Sequence, residues 1–455
     1  MSEPARTLHP ALAVSEGAPA NLTIAGVRAL DPVAGIDQVC DLVVRDGVVS
    51  SLAEPGSGAA PDSGEVVDGS GRVAVPAFVD PHVHLRTPGR EDEEDIESGT
   101  RAAAAGGFCC VVAMANTDPV VDSPELLSAL RRRADREARV QVGFAAAVTV
   151  GQRGDRLTDT TLLADAGAVC FSDDGLPVRS ARVMRQALQC QRLHGLPLVL
   201  HEEDPDLSGE GAMHEGTVSV RLGVAGIPWA SEAVMAARDV LLAELEDGRI
   251  HLQHVSSART LAIVEWARAR GVAVTCEVTP HHLLLCDEDV AGLDTARKMN
   301  PPLRSAGDRT ALREALRSGL IDCIATDHAP HAQEEKEAPF EEAPMGTTGL
   351  ETAFAALYTD LVVPGELSLA TLVEKLTAGA SVLGFERPSL KPGSVANLCL
   401  VDLDKEWTVG ENGFESRSAN NAFLGRRLRG KVLLTTSAGA VVWRDRSILM
   451  REVAA

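Results

Sequence analysis

Short apolar runs recur from Ala74 onward, most of them followed by an amphipathic stretch, and this alternation restricts the fold more than any other property of the sequence. Strands are expected at 74–79, 109–115, 140–146, 168–171, 197–201, 250–254, 272–277 and 322–326. Ala-, Arg- and Glu-rich segments with helical periodicity lie between most of them, as at 124–137, 181–194, 231–246 and 260–270. Eight strands with helical crossovers is the count for a closed (β/α)8 barrel. An open doubly wound sheet is the rival, but no Gly-rich phosphate loop follows the first strand. Two further helical stretches, 350–361 and 368–383, finish the unit.

The chain enters and leaves this region through β-rich segments: 22–30, 42–52, 65–67 and 71–75 before it, and 396–403, 427–435 and 440–443 after Lys391-Pro392-Gly393. Asp46-Gly47 is a hairpin-type dipeptide. The simplest packing joins both ends in one small sheet. The expected organisation is a mobile extension over 1–20, a composite β domain from 21–75 and 392–455, and a barrel over 76–391.

Hydrophobic residues make up 45% of the chain and aromatics only 3%, so aliphatic side chains must fill the core. Lys and Arg total 43 against 65 Asp and Glu, a formal charge of -22, which argues against a nucleic-acid surface without forbidding a locally positive pocket. No run approaches the roughly 20 apolar residues of a membrane span, and the first residues do not read as a signal peptide. A cytoplasmic protein is the expectation. The nine cysteines lack CxxC spacing and read as reduced, buried thiols.

In such a barrel the active site lies at the carboxyl ends of the strands, so polar residues closing apolar runs are its candidates. His82 and His84 alternate in Asp80-Pro81-His82-Val83-His84, so both project from one side of a strand, and neutral imidazole suits zinc and related ions. Further runs end in Asp173-Asp174-Gly175, in His201-Glu202-Glu203, in His254 and in Asp327-His328. Taken singly, such endings are ordinary caps and turns. Together they describe a His-rich site completed by carboxylates. His251 and His254 compete for one role, His254 being nearer the mouth. His281 and His282 follow the seventh strand and fit a supporting, a substrate-contacting or a structural role; His9, His194 and His214 are assigned to surface or packing.

The motifs that carry the site resemble those of class I dihydroorotases in the amidohydrolase superfamily. They are His-Val-His-Leu-Arg at 82–86, Glu-Asp-Ile-Glu-Ser-Gly at 94–99, Ala-Asn-Thr-Asp-Pro at 115–119 and Phe-Ser-Asp-Asp-Gly at 171–175. Further matches are His-Glu-Glu-Asp at 201–204, Glu-Val-Thr-Pro-His-His at 277–282, Lys-Met-Asn-Pro-Pro-Leu-Arg at 298–304 and Ile-Ala-Thr-Asp-His-Ala-Pro-His at 324–331. The resemblance implies two divalent metal ions, Zn2+ by preference, with His82 and His84 on one, His201 and His254 on the second, and Asp174 bridging. Asp327 would be both ligand and catalytic acid/base, leaving Asp173 to a turn or supporting role. His84, Arg86, Asn116, Asn300 and His331 match substrate-binding positions, and Met345-Gly346 matches a loop that contacts the pyrimidine ring. The family's usual Asp after Leu-Arg is Thr87 here, which puts the support of Arg86 in question.

The implied reaction is the reversible cyclisation of N-carbamoyl-L-aspartate to (S)-dihydroorotate, the third step of pyrimidine (UMP) biosynthesis. Opening a cyclic amide needs a strong nucleophile, which divalent ions supply from water near neutral pH. The rivals are a hydantoinase or allantoinase, which typically bridge their metals through a carboxylated lysine, and a silent homologue serving aspartate transcarbamoylase as a scaffold. The matching position is Asp174, and Lys298 is the only lysine between Gly107 and Met299. A homodimer and an aspartate transcarbamoylase assembly are both arrangements of that class. The segment 331–348, with five glutamates, reads as a solvated loop or a lid over the site.

Overall fold

In the computed structural model, which describes residues 7–57, 64–448 and 450–453, the apolar run 73–79 is divided between two sheets. Its first part belongs to the sheet that opens the chain. There β1 (Leu22–Asp31), β2 (Ile36–Arg45) and β3 (Val48–Ala53) form an antiparallel meander. Asp46 and Gly47 make its last turn, both at positive φ. β4 (Gly64–Asp68) and β5 (Val73–Pro76) lie parallel to β1. The strand expected at 74–79 therefore needs correction, because the first barrel strand is β6 (Phe78–Val83). Both strands are fully buried, so hydropathy is unbroken where the chain changes sheets.

The barrel continues through β7 (Phe108–Ala113), β8 (Gln141–Ala146), β9 (Cys170–Phe171) and β10 (Leu198–Leu200). A small parallel ribbon, β11 (Met213–His214) with β12 (Gly226–Ile227), intervenes before β13 (Arg249–Leu252), β14 (Ala273–Val278) and β15 (Cys323–Ile324). The eight barrel strands pair in sequence order, each parallel to the next. The seam between first and last is drawn together by a parallel bridge of Val83 with His328, where His84 N donates to His328 O at 2.8 Å.

Two of the expected helices begin and end where the periodicity places them, Pro124–Glu137 and Ala181–His194, each capped by a serine (Ser123, Ser180) whose hydroxyl accepts a backbone N–H of the first turn. The stretch 350–361 is a short helix, Ala353–Leu357, running into a wider turn over Tyr358–Val362, and 368–383 is broken at Ala378.

The chain then returns to the first sheet. β16 (Leu398–Thr408) pairs antiparallel with β5, matching Leu398 to Pro76, and is followed outward by β17 (Arg427–Ser437) and β18 (Ala440–Arg444). β19 (Met450–Val453) closes on β4, giving nine strands drawn from both ends of the chain. Gln141, wholly buried, ties this sheet to the barrel by donating to Cys109 O at 3.3 Å and Asn397 Oδ1 at 3.1 Å.

Residues 1–6 of the expected mobile extension lie outside the described residues. From Thr7 on, the chain is packed rather than loose: Leu8 and Leu12 are buried, Leu8 N donates to Gln141 Oε1 at 2.6 Å, and Ala13 pairs with Val142. Two leucines and two isolated bridges, Ala13 with Val142 and Pro19 with Ala440, dock a segment whose Ala- and Pro-rich composition gives no strand or helix period. No helix among the described residues is long and apolar enough to cross a membrane.

Candidate active site

His82 is the last inward-facing residue of β6, and His84 follows just past its end on the same side. The ring centroids lie 5.4 Å apart. His82 Nε2 sits 3.5 Å from Asp174 Oδ1 and 3.5 Å from Asp327 Oδ1, buried and without a hydrogen-bond partner. His84 Nε2 lies 3.0 Å from Asp327 Oδ1 and 3.5 Å from Asp174 Oδ2. From the far side of the barrel, His254 Nε2 and His201 Nδ1 approach Asp174 Oδ1 at 3.8 and 3.7 Å and each other at 2.9 Å. The six residues expected to bind metal are thus gathered at one mouth. His82, His84 and Asp327 form one group with donor atoms within 4.8 Å of one another, and His82, Asp174 and His254 form a second.

Electrostatics follows from this crowding. Burial alone would raise both carboxyls, but the charges of His82 and its neighbours outweigh it and hold Asp174 and Asp327 well below the carboxylate range. Burial likewise opposes the charged form of His82, and the two aspartates overcome it to raise its pKa. An orphaned imidazole nitrogen facing two ionised carboxylates is a donor set that a divalent cation satisfies, so the residues fit the metal chemistry read from the sequence.

Asp327 is held in an uncommon conformation, with φ 48°, and His254 likewise at 31°. The neighbours of Asp327 fix it. Asp80 accepts from Thr326 N at 3.1 Å and Thr326 Oγ1 at 2.6 Å, while His328 lies 3.2 Å from Glu94 Oε2 and accepts from Gly349 N at 3.1 Å. Asp173, the aspartate set aside, accepts from Val148 N at 2.8 Å and Thr149 N at 3.1 Å, and burial pushes its carboxyl up to about 6.

The expected substrate contacts form a second arc around the same mouth. Asn116 lies 3.0 Å from His84 Nδ1 and donates to Asp174 Oδ2 at 3.2 Å. Asn300 donates to Glu203 Oε2 at 2.7 Å, and Glu203 in turn contacts His201 Nε2 at 2.9 Å. Arg86 Nε donates to Pro330 O at 3.0 Å and lies 3.1 Å from Glu93 Oε2, while Nη2 reaches 3.3 Å from His331 Nε2. Met345 O is 2.9 Å from His331 Nε2, and at Gly346 a Cβ would fall 2.8 Å from that nitrogen. The hydroxyl of Thr87 is buried and unbonded, so Glu93 supports Arg86 where an aspartate was missed.

Sequence reasoning gave no role to Glu277 or Glu203, although both stand in its motifs, and left out Glu93. Glu277, within β14, places Oε1 2.8 Å from His82 Nδ1 and Oε2 3.0 Å from His251 Nε2. His251 is thereby turned to Glu277 and Thr275, which leaves the mouth to His254. A carboxylate within an otherwise apolar strand was the available signal, since a fully buried one demands partners. His282 lies 3.0 Å from Pro301 O and 2.8 Å from Thr279 Oγ1, supporting the turn that carries Asn300, and His281 Nε2 is buried without a partner.

Residues 71–260 match the family model described as Dihydro-orotase-like. The dihydroorotase of Geobacter metallireducens is 46% identical over 426 residues, covering 93% of this chain and 100% of that one, and the dihydroorotase of Pelotomaculum thermopropionicum is 46% identical over 94% and 99%. Among solved structures, the L-hydantoinase (dihydropyrimidinase) of Arthrobacter aurescens superposes with a TM-score of 0.83 at 25% identity, covering 94% of this chain and 97% of that one. The hydantoinase likeness thus reaches the architecture, whereas nearly half of all residues are shared with the curated relatives over almost their entire length, and on that ground the chain belongs to the dihydroorotase family of cyclic-amide hydrolases.

Proposed function

We propose that the protein is a metal-dependent dihydroorotase interconverting N-carbamoyl-L-aspartate and (S)-dihydroorotate plus water, and that Zn2+ is its metal. The observation that carries this reading is the meeting of four imidazoles and two ionised aspartates beside the Arg86 guanidinium. His82, His84, His201 and His254 would hold two ions with Asp174 between them and Asp327 as a further ligand. Bound there, divalent ions supply a nucleophile from water near neutral pH and polarise the amide carbonyl.

Asp327 is the proton carrier. Its carboxylate is ionised and held in place by flanking residues, as a general base requires. In ring opening it takes the proton of the attacking water and delivers it to the ring nitrogen as the amide bond breaks; in ring closure it runs the transfer backwards. Arg86 presents a planar fork of donors suited to the substrate carboxylate, and its Nη1 makes no hydrogen bond among the described residues. Asn116, Asn300, His331 and the Met345–Gly346 peptide supply hydrogen-bonding groups for the rest of the molecule.

The test is a spectrophotometric assay on purified protein together with metal analysis. Dihydroorotate turnover with close to two divalent ions per chain is expected; turnover of hydantoins in its place would overturn the substrate assignment. Asp327→Asn should lower kcat by at least about a hundredfold to ten-thousandfold, the usual worth of a positioned acid/base, and near-normal turnover would remove Asp327 from that role.

A further inference from the structure

Two buried lysines hold the segment between His331 and Thr348, Lys298 from outside it and Lys336 from within, and neither pairs with a carboxylate among the described residues. Lys298, 4% exposed, donates from Nζ to Phe340 O at 2.7 Å, Glu341 O at 3.0 Å and Ala343 O at 2.7 Å, and stands 5.4 Å from the Phe340 ring. Lys336, 8% exposed, donates to Pro344 O at 2.8 Å. Neither ammonium enters an ion pair among the described residues. A buried ammonium is tolerated only where its donors are satisfied, and Lys298 spends all three on one loop. The apolar alternative would leave three inward-facing carbonyls unbonded, so the loop's path depends on that cation.

The carbonyls so held run directly into Met345 and Gly346. Gly346 N donates back to Lys298 O at 2.8 Å, Met345 O lies 2.9 Å from His331 Nε2, and that nitrogen lies 3.3 Å from Arg86 Nη2. Two residues beyond Lys298, Asn300 reaches Glu203. One residue therefore joins the loop bearing Met345–Gly346 to the turn bearing Asn300.

We propose that Lys298 is a positioning residue for substrate binding: its ammonium holds 340–344 so that the Met345–Gly346 peptide and His331 meet Arg86 in register with Asn300. It touches no group that carries the proton, so its loss weakens ground-state and transition-state binding alike and appears in KM and not in kcat. The identity of the bound molecule rests on the dihydroorotase reading; the hold on the loop does not.

The experiment compares wild type with Lys298→Met, which keeps the length of the side chain and removes the donors. KM for dihydroorotate should rise about tenfold with kcat within about twofold, metal content should stay at the wild-type level, and a glutamate-specific protease should cut the 334–342 segment at least about tenfold faster. Unchanged KM and unchanged cleavage would overturn the proposal, as would parallel loss of kcat and metal, which marks a general structural role. Should Lys298→Met fail to fold, Lys298→Gln takes its place, since its shorter amide keeps at most two donors: a raised KM with faster cleavage supports the proposal and an unchanged KM overturns it. A wild type inactive on dihydroorotate would sink the functional reading, while the cleavage comparison would still test Lys298.

Discussion

Glu277 shows how one side chain can organise a site that it does not enter. Its carboxylate meets His82 Nδ1 and His251 Nε2, and burial, which would raise its pKa, is outweighed by bonds and charges from both rings, so that it stays ionised. With a divalent ion at the mouth, a proton held on His82 Nδ1 by Glu277 would leave Nε2 free to bind it, the tautomer that a metal ligand needs. Glu277→Gln should therefore weaken divalent-ion binding by about tenfold to a hundredfold with helical and strand content unchanged; calorimetric titration of metal-free protein with Zn2+ measures it, and wild-type affinity would refute the role. At this scale the residues that meet at the mouth were legible, because His201, His254 and Asp327 each close an apolar run. The role of Glu277 was not, although it closes the run expected at 272–277, because its meaning comes from a histidine on β6 that is 195 residues away in sequence.

Among the elements, the amino-terminal segment was the least predictable. Its docking relies on isolated leucines fitted to a particular surface: a Cβ at Gly143, on β8, would lie 3.1 Å from Leu12 Cδ2. Leu12→Ala should lower stability by about 2–5 kcal/mol, the range for an aliphatic truncation in a core, measured by denaturant unfolding, with KM for dihydroorotate unchanged because the contact is with strand interior and not with the mouth. Equal stability would mean that the segment is dispensable. The helices at 124–137 and 181–194 were readable since serine caps and 3.6-residue periodicity are local. The exchange of sheets between Pro76 and Phe78 was not, since the pairing of β5 with β16 joins residues more than 300 positions apart and leaves no local mark.

For the molecule as a whole, Lys336 in the 331–348 segment makes stability depend on pH in the alkaline range. Burial, with the nearby charge of Lys298, brings Lys336 from 10.5 down to about 7. Between those values the unfolded chain keeps the proton that the folded one has released, so stability rises with pH across that window and the full cost is present below it. Lys336→Met removes this dependence. Its stability advantage over wild type should be greatest near pH 7 and narrow by roughly 3–5 kcal/mol toward pH 10.5, as read from urea unfolding at several pH values; a difference independent of pH would show that Lys336 titrates normally.

The nine-stranded sheet has a further consequence during synthesis. β5 borders the first barrel strand, yet the neighbour it requires, β16, is made only after the whole barrel has been translated. Until then the nascent chain presents an open strand edge beside a finished (β/α)8 ring. Premature termination between Leu390 and Leu398 should therefore yield a polypeptide with all six candidate donors in place and an adhesive flank, which makes the strands that follow the barrel a determinant of solubility before they are one of catalysis.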